Sequence, residues 1–186
     1  MTSRLNRLAV AFVATALATL GVTVANPSPA FAAMTICYNT SQAGSFAGTA
    51  NQAASIWNNA TSNLTLTANC GSNLRIYRVT GGGSYAVRTS LGNGRVYIDT
   101  QQAQQYSPLR IMTHEIGHIL GLPDNYNGNC ALLMSGGSAG TSCTNAYPST
   151  AEANRVTNLF AGTRSADRTG SEIFRDSWPS MLTTVG

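Results

Sequence analysis

Two histidines constrain this chain more than any other feature. His114 and His118 are the only histidines in 186 residues, and they lie four apart within Thr113-His114-Glu115-Ile116-Gly117-His118-Ile119-Leu120-Gly121-Leu122-Pro123-Asp124. Side chains four apart on a helix sit on one face, one turn from each other, so both imidazoles can reach a single tetrahedral ion if the segment is helical. Start and stop signals agree with a helix. Ser107 can cap it and Pro108 suits its first turn. Leu109, Ile111, Met112, Ile116 and Ile119 carry it to about Leu120, where Gly121 ends it and Pro123 prevents continuation. Any fold for this chain must present that helix with a sharp turn behind it.

The residue types around the histidines point to catalytic zinc. Glu115 follows the first histidine, so its side chain points beside the metal rather than at it and suits a general base. A catalytic zinc keeps three protein ligands and one open position. Gly121 lets the chain double back and bring a residue six beyond His118 to the ion, and that residue is Asp124, a carboxylate that zinc accepts. A lone histidine on a helix is more often a satisfied polar residue than a ligand. Here both histidines of the chain fall at ligand spacing, and two of the four acids before the last 24 residues, Glu115 and Asp124 rather than Asp99 and Glu152, fall in the same stretch.

The N-terminus reads as an export signal. Arg4 and Arg7 precede an apolar run from Leu8 to Val24, then Asn26-Pro27-Ser28-Pro29, then Ala30-Phe31-Ala32, a small-x-small cleavage pattern. A membrane anchor is the competing reading, at the lower length limit for a spanning helix; the cleavage pattern behind the run favours a removed signal, residues 1–32. What remains carries nine arginines, no lysine and seven acids, a net charge of +2, scattered rather than clustered. That argues against a nucleic-acid partner. There is no second apolar stretch long enough for a membrane span, and the chain is expected to act as a monomer. Cys37, Cys70, Cys130 and Cys143 all follow the signal, and an even count in an exported chain suggests two disulfides. The pairing that closes local loops is Cys37–Cys70 and Cys130–Cys143.

Periodicity gives an α+β chain. A strand is expected at Thr35–Tyr38, an amphipathic helix over 44–60 with Phe46, Ala50, Ala53, Ala54 and Trp57 inward, and strands at Leu64–Ala68, Leu74–Thr80 and Arg95–Asp99. After the metal helix, residues 122–148 read as a disulfide-stapled loop. Ser149-Thr150 then opens a third helix with Glu152 near its start and Val156, Leu159 and Phe160 inward. The last segment, 163–186, lacks periodicity and reads as a tail whose composition allows disorder. Residues 33–162 are enough for one core.

These residues resemble a known group. The HExxHxxGxx-ligand pattern is the metzincin signature, and the form with aspartate as third ligand resembles the snapalysins, small neutral metalloproteinases secreted by actinomycetes. The likeness continues through Tyr126, Cys130, Leu133-Met134-Ser135-Gly136-Gly137 and Ser142-Cys143-Thr144-Asn145, and covers roughly Thr35 to Gly162. It implies a metzincin-like single domain, a small, twisted, mostly parallel sheet with three helices and a zinc cleft after the central one. It also implies one catalytic Zn2+, a secreted endopeptidase acting on extended protein or peptide substrates, and a preference for an aromatic residue just after the cleaved bond. Met134 resembles the methionine beneath the metal, Tyr126 the active-site tyrosine, and Cys130–Cys143 would pin the loop that carries Met134. The resemblance further implies a Ca2+ site with an acidic ligand just before the metal helix; Tyr106-Ser107-Pro108-Leu109 carries no carboxylate, which leaves calcium undecided. The strand Arg95–Asp99 is expected to be the cleft edge on which a substrate pairs. Two readings compete with the endopeptidase: an exopeptidase, which needs a terminus-binding feature that is not evident, and a secreted zinc-binding module with a structural metal.

Overall fold

Alternating apolar and polar side chains lay down a six-stranded sheet. The computed structural model describes residues 33–161 and 171–175; the expected signal, 1–32, and the rest of the tail lie outside the described residues. The strands are β1 (Met34–Gln42), β2 (Leu64–Ala68), β3 (Leu74–Val79), β4 (Tyr85–Ser90), β5 (Asn93–Asp99) and β6 (Glu172–Arg175), in the order β2-β1-β3-β5-β4-β6. The first four in that order run parallel. β4 runs antiparallel to β5, and β6 antiparallel to β4. Ile36, Tyr38, Leu64, Leu66, Leu74, Ile76, Ala86, Val96 and Ile98 are buried in one core with residues of helices α1 (Ala47–Ala60), α3 (Pro108–Ile119) and α4 (Thr150–Ala161). On the opposite face Tyr77, Tyr97 and Tyr85 stack in a row across β3, β5 and β4, with centroids 5.1 and 4.3 Å apart.

Three expectations need correction. A fourth helix, the single turn α2 (Gln102–Gln105), joins the three expected. The cleft-edge assignment for Arg95–Asp99 is wrong: β5 is hydrogen-bonded on one side to β3 and on the other to β4, so it has no edge to offer. The segment read as an aperiodic tail contributes a strand, β6, which covers the outer edge of β4. The mostly parallel sheet, the expected strands and the disulfides Cys37–Cys70 and Cys130–Cys143 are all present, with Cα atoms 5.1 and 5.6 Å apart.

The packing that positions α3 is specific. Trp57 of α1 is fully buried, and its indole Nε1 donates to the Thr113 carbonyl at 2.9 Å. Gly117 permits the close approach behind the helix, since a Cβ there would stand 2.9 Å from Met134 Sδ and 3.2 Å from Trp57 Cζ2. Burial of the tryptophan face removes about 200 Å² of ring from water.

The loop after α3 is held by two charged side chains working on opposite backbone groups. Arg110, only 1% exposed, donates to the carbonyls of Asn145 (2.6 Å), Leu132 (3.0 Å) and Gly136 (3.3 Å) and to Ser135 Oγ (3.0 Å). Burial pushes the guanidinium pKa down, and the nearby Glu152 opposes that shift. Glu152 accepts from the amides of Leu133 (3.2 Å) and Met134 (2.8 Å). It also closes a capping box at the start of α4, accepting from Ser149 N while Ser149 Oγ accepts from Glu152 N. The Cys130–Cys143 link, 13 residues apart, adds about 3 kcal/mol in the chain-entropy account.

Trp57→Ala should lower unfolding free energy by about 3–5 kcal/mol in urea denaturation, the usual cost of deleting a large buried ring; an unchanged midpoint would refute its role in seating α3. Arg110→Met should speed amide exchange across residues 129–146 much more than in β1–β3, because four loop acceptors lose their donor. Equal protection in both regions would show that Glu152 and the disulfide hold the loop without Arg110.

Candidate metal centre

The end of α3 follows from its glycine. Gly121, at φ +98°, lies in the left-handed region where a side chain is strained, and a Cβ there would also stand 2.8 Å from Leu91 and Leu159. Gly121 N donates to the His118 carbonyl and Leu122 N to the Gly117 carbonyl, each at 3.0 Å, the double bond pattern of a Schellman turn. The reversal carries Asp124 back to the helix face that holds the histidines.

There three donor atoms converge. His114 Nε2 and His118 Nε2 are 3.0 Å apart, and Asp124 Oδ1 is 3.3 Å from each. The histidines and Glu115 are fully buried, whereas the Asp124 side chain is 22% exposed. The remaining nitrogen of each ring meets a backbone carbonyl: His114 Nδ1 faces Leu133 O at 3.0 Å, and His118 Nδ1 faces Leu122 O at 2.9 Å. A carbonyl only accepts, so each Nδ1 carries the hydrogen and each Nε2 presents a lone pair.

That arrangement tests the fit of a cation. Two lone pairs at 3.0 Å and a carboxylate oxygen at 3.3 Å repel one another unless a positive charge lies between them. Ligand atoms about 2.0–2.1 Å from a tetrahedral ion stand about 3.3 Å apart, which matches this triangle, and two imidazoles with one carboxylate suit zinc. Among the described residues these three are the group of histidine, cysteine and acidic side chains placed to share an ion.

The other expected residues cluster around the triangle. Met134, 2% exposed, lies under Gly117, in the turn between the histidines. Its carbonyl accepts from Asn125 N at 2.8 Å, tying the loop to the residue after Asp124. Tyr126 is 42% exposed. Its ring and the His114 imidazole both come within 3.5 Å of the point where a Gly136 Cβ would be, at 3.1 and 3.3 Å. Sequence reasoning missed two further neighbours. Phe174 of β6 stacks on the His118 ring, centroids 4.3 Å apart and planes 12° from parallel. Arg88 of β4 donates from Nη1 to the His118 carbonyl at 3.0 Å, pairs through Nη2 with the Glu172 carboxylate, and lies 5.0 Å from the Phe174 centroid. Neither residue carries a local signal, because each reaches the centre through the pairing of β4 with β6.

Comparison with known proteins gives one consistent result. The chain is 45% identical over 139 residues to the extracellular small neutral protease of Streptomyces lividans, a span of 74% of this chain and 61% of that protein. Against the protein of the same name from Streptomyces coelicolor it is 45% identical over 137 residues, 72% of this chain and 63% of the other. Against that of Streptomyces caespitosus it is 44% identical over 129 residues, 69% of this chain and 98% of the other. The chain thus spans only about three fifths of the length of the first two relatives. Residues 33–163 match the pattern of the Streptomyces extracellular neutral proteinase (M7) family, and with the convergence of His114, His118 and Asp124 behind α3 the chain belongs to that family.

Proposed function

We propose that this chain is a secreted zinc endopeptidase in which His114, His118 and Asp124 hold the metal and Glu115 is the general base. The observation that carries this reading is the triangle formed by two imidazole Nε2 atoms and one carboxylate oxygen. Export is supported by the signal pattern at 1–32, by the family match beginning at residue 33, by two disulfides, and by the extracellular relatives. Among the described residues no helix is long and apolar enough to cross a membrane.

Zinc, when bound, acts as a Lewis acid that acidifies water and polarises the scissile carbonyl. The side chains divide the remaining work. Glu115, buried next to His114, takes the proton of the attacking water and hands it to the leaving nitrogen. Tyr126, beside His114 and open to solvent, donates a hydrogen bond to the developing oxyanion. Met134 packs under the helix turn and fixes the separation of the histidines, while the carbonyls of Leu122 and Leu133 fix their tautomers. A preference for an aromatic residue after the cleaved bond is part of the proposal. The flat face of His118 supports it, since an aromatic ring already stacks there.

The structural-zinc reading has less behind it. A structural site closes with a fourth protein ligand, usually Cys or His. All four cysteines are in disulfides, and there is no third histidine.

The purified protein should cleave casein at internal bonds, lose that activity to a chelator, and regain it with zinc. Glu115→Gln should bind zinc normally yet be slower by about 10²–10⁴-fold, the usual worth of a general base. Tight zinc binding without cleavage by the wild type would bring the structural reading to the front.

A further inference from the structure

The strand that completes the sheet is built like a ligand. β6 is four residues long and joins the fold through antiparallel pairing with β4, Glu172 opposite Arg88 and Phe174 opposite Ala86. Its Phe174 is turned inward, onto His118, while Ile173 on the other face is 58% exposed. Glu172, two residues earlier and therefore on the same face, meets the Arg88 guanidinium. Main-chain pairing along a sheet edge, one side chain taken up by the fold and one charge contact are means by which an extended peptide is recognised in strand addition. Here the chain's own segment makes edge pairing, a ring stacked on a histidine of the metal centre and a charge contact.

Resting on the endopeptidase reading, we infer that Glu172-Ile173-Phe174 is an internal occupant of the substrate's docking edge on β4, and that Arg88 is a specificity-determining residue selecting a carboxylate two positions before an aromatic side chain. The substrate class is then an extended acidic-x-aromatic peptide. Substrate and β6 exclude each other, because an edge strand pairs with one neighbour at a time. A four-residue strand with one inward ring and one charge contact is weakly held, so it yields to a peptide of the same pattern at sufficient concentration.

The test uses the zinc-loaded full chain, with its intact mass verified. Binding of a labelled Ser-Glu-Ile-Phe-Arg peptide is measured in a Glu115→Gln background, and hydrolysis of a quenched acidic-x-aromatic peptide in the active background. Phe174→Ala should tighten peptide binding and lower KM by about three- to tenfold, the worth of one aromatic stack. Glu172→Gln, at an exposed position, should shift both in the same direction by a smaller factor. A peptide with glutamine for glutamate should bind the wild type several-fold more weakly, and that discrimination should vanish in Arg88→Gln. If Phe174→Ala and Glu172→Gln bind the peptide as the wild type does, or more weakly, β6 is a wall of the site and not its occupant. If Phe174→Ala fails to fold, the Glu172→Gln result decides alone. Tighter binding with no hydrolysis by any variant would leave the docking edge standing and remove the endopeptidase; hydrolysis by all variants with one KM would do the reverse.

Discussion

Two imidazole lone pairs and a carboxylate pointed at one small volume need a rigid frame behind them, and much of this protein serves as that frame. The donors lie 3.0–3.3 Å apart. Each ring is oriented from behind by a carbonyl, and each carbonyl is itself placed by the fold. Leu122 O is set by the Schellman turn at Gly121, and Leu133 O by the loop segment whose amides bind Glu152. Arg110 grips the same loop by its carbonyls from the first turn of the metal helix. The helix that supplies two donors thus also anchors the segment that orients one of them.

This chain's use of charge follows from that arrangement. It has no lysine, and the described arginines nearest the centre each bind in more than one direction. Arg110 serves four acceptors and Arg88 bridges a helix carbonyl to a carboxylate. A planar guanidinium suits such forks where a flexible ammonium does not. Glu152 is economical in the same way, capping its own helix and holding two amides of the loop.

Much of the centre was legible in the sequence because its rules are local. Histidines four apart, a glycine three after the second and an acid three beyond that describe one turn of helix and one reversal, and the structure places all three donors together. Strands with Leu, Ile or Val on the inward face, β2, β3 and β5, were visible by alternation. β4 was not, because its inward positions are Ala86 and Arg88, which give no apolar period. β6 was not, because four residues with one inward ring carry no pattern without the partner strand. The misplaced cleft edge has the same origin: β5 looks like the last strand before the metal helix in sequence, but a hairpin puts β4 outside it in space. Neighbourhood across a sheet is a non-local property, and there the sequence signal stops.

The cover on β4 has a meaning for solubility as well. A bare antiparallel edge exposes a row of amide donors and carbonyl acceptors on which the same strand of another molecule can add, and repeated addition builds aggregates. β6 pairs with four residues of that edge and carries Glu172 and Arg175, both exposed and of opposite charge, which do not template a further strand. The far edge, β2, is only five residues long and alternates threonines with leucines. With one edge short and the other sheathed, this small sheet is protected from self-association at both ends, and losing the last strand would cost colloidal stability even where the fold survives intact.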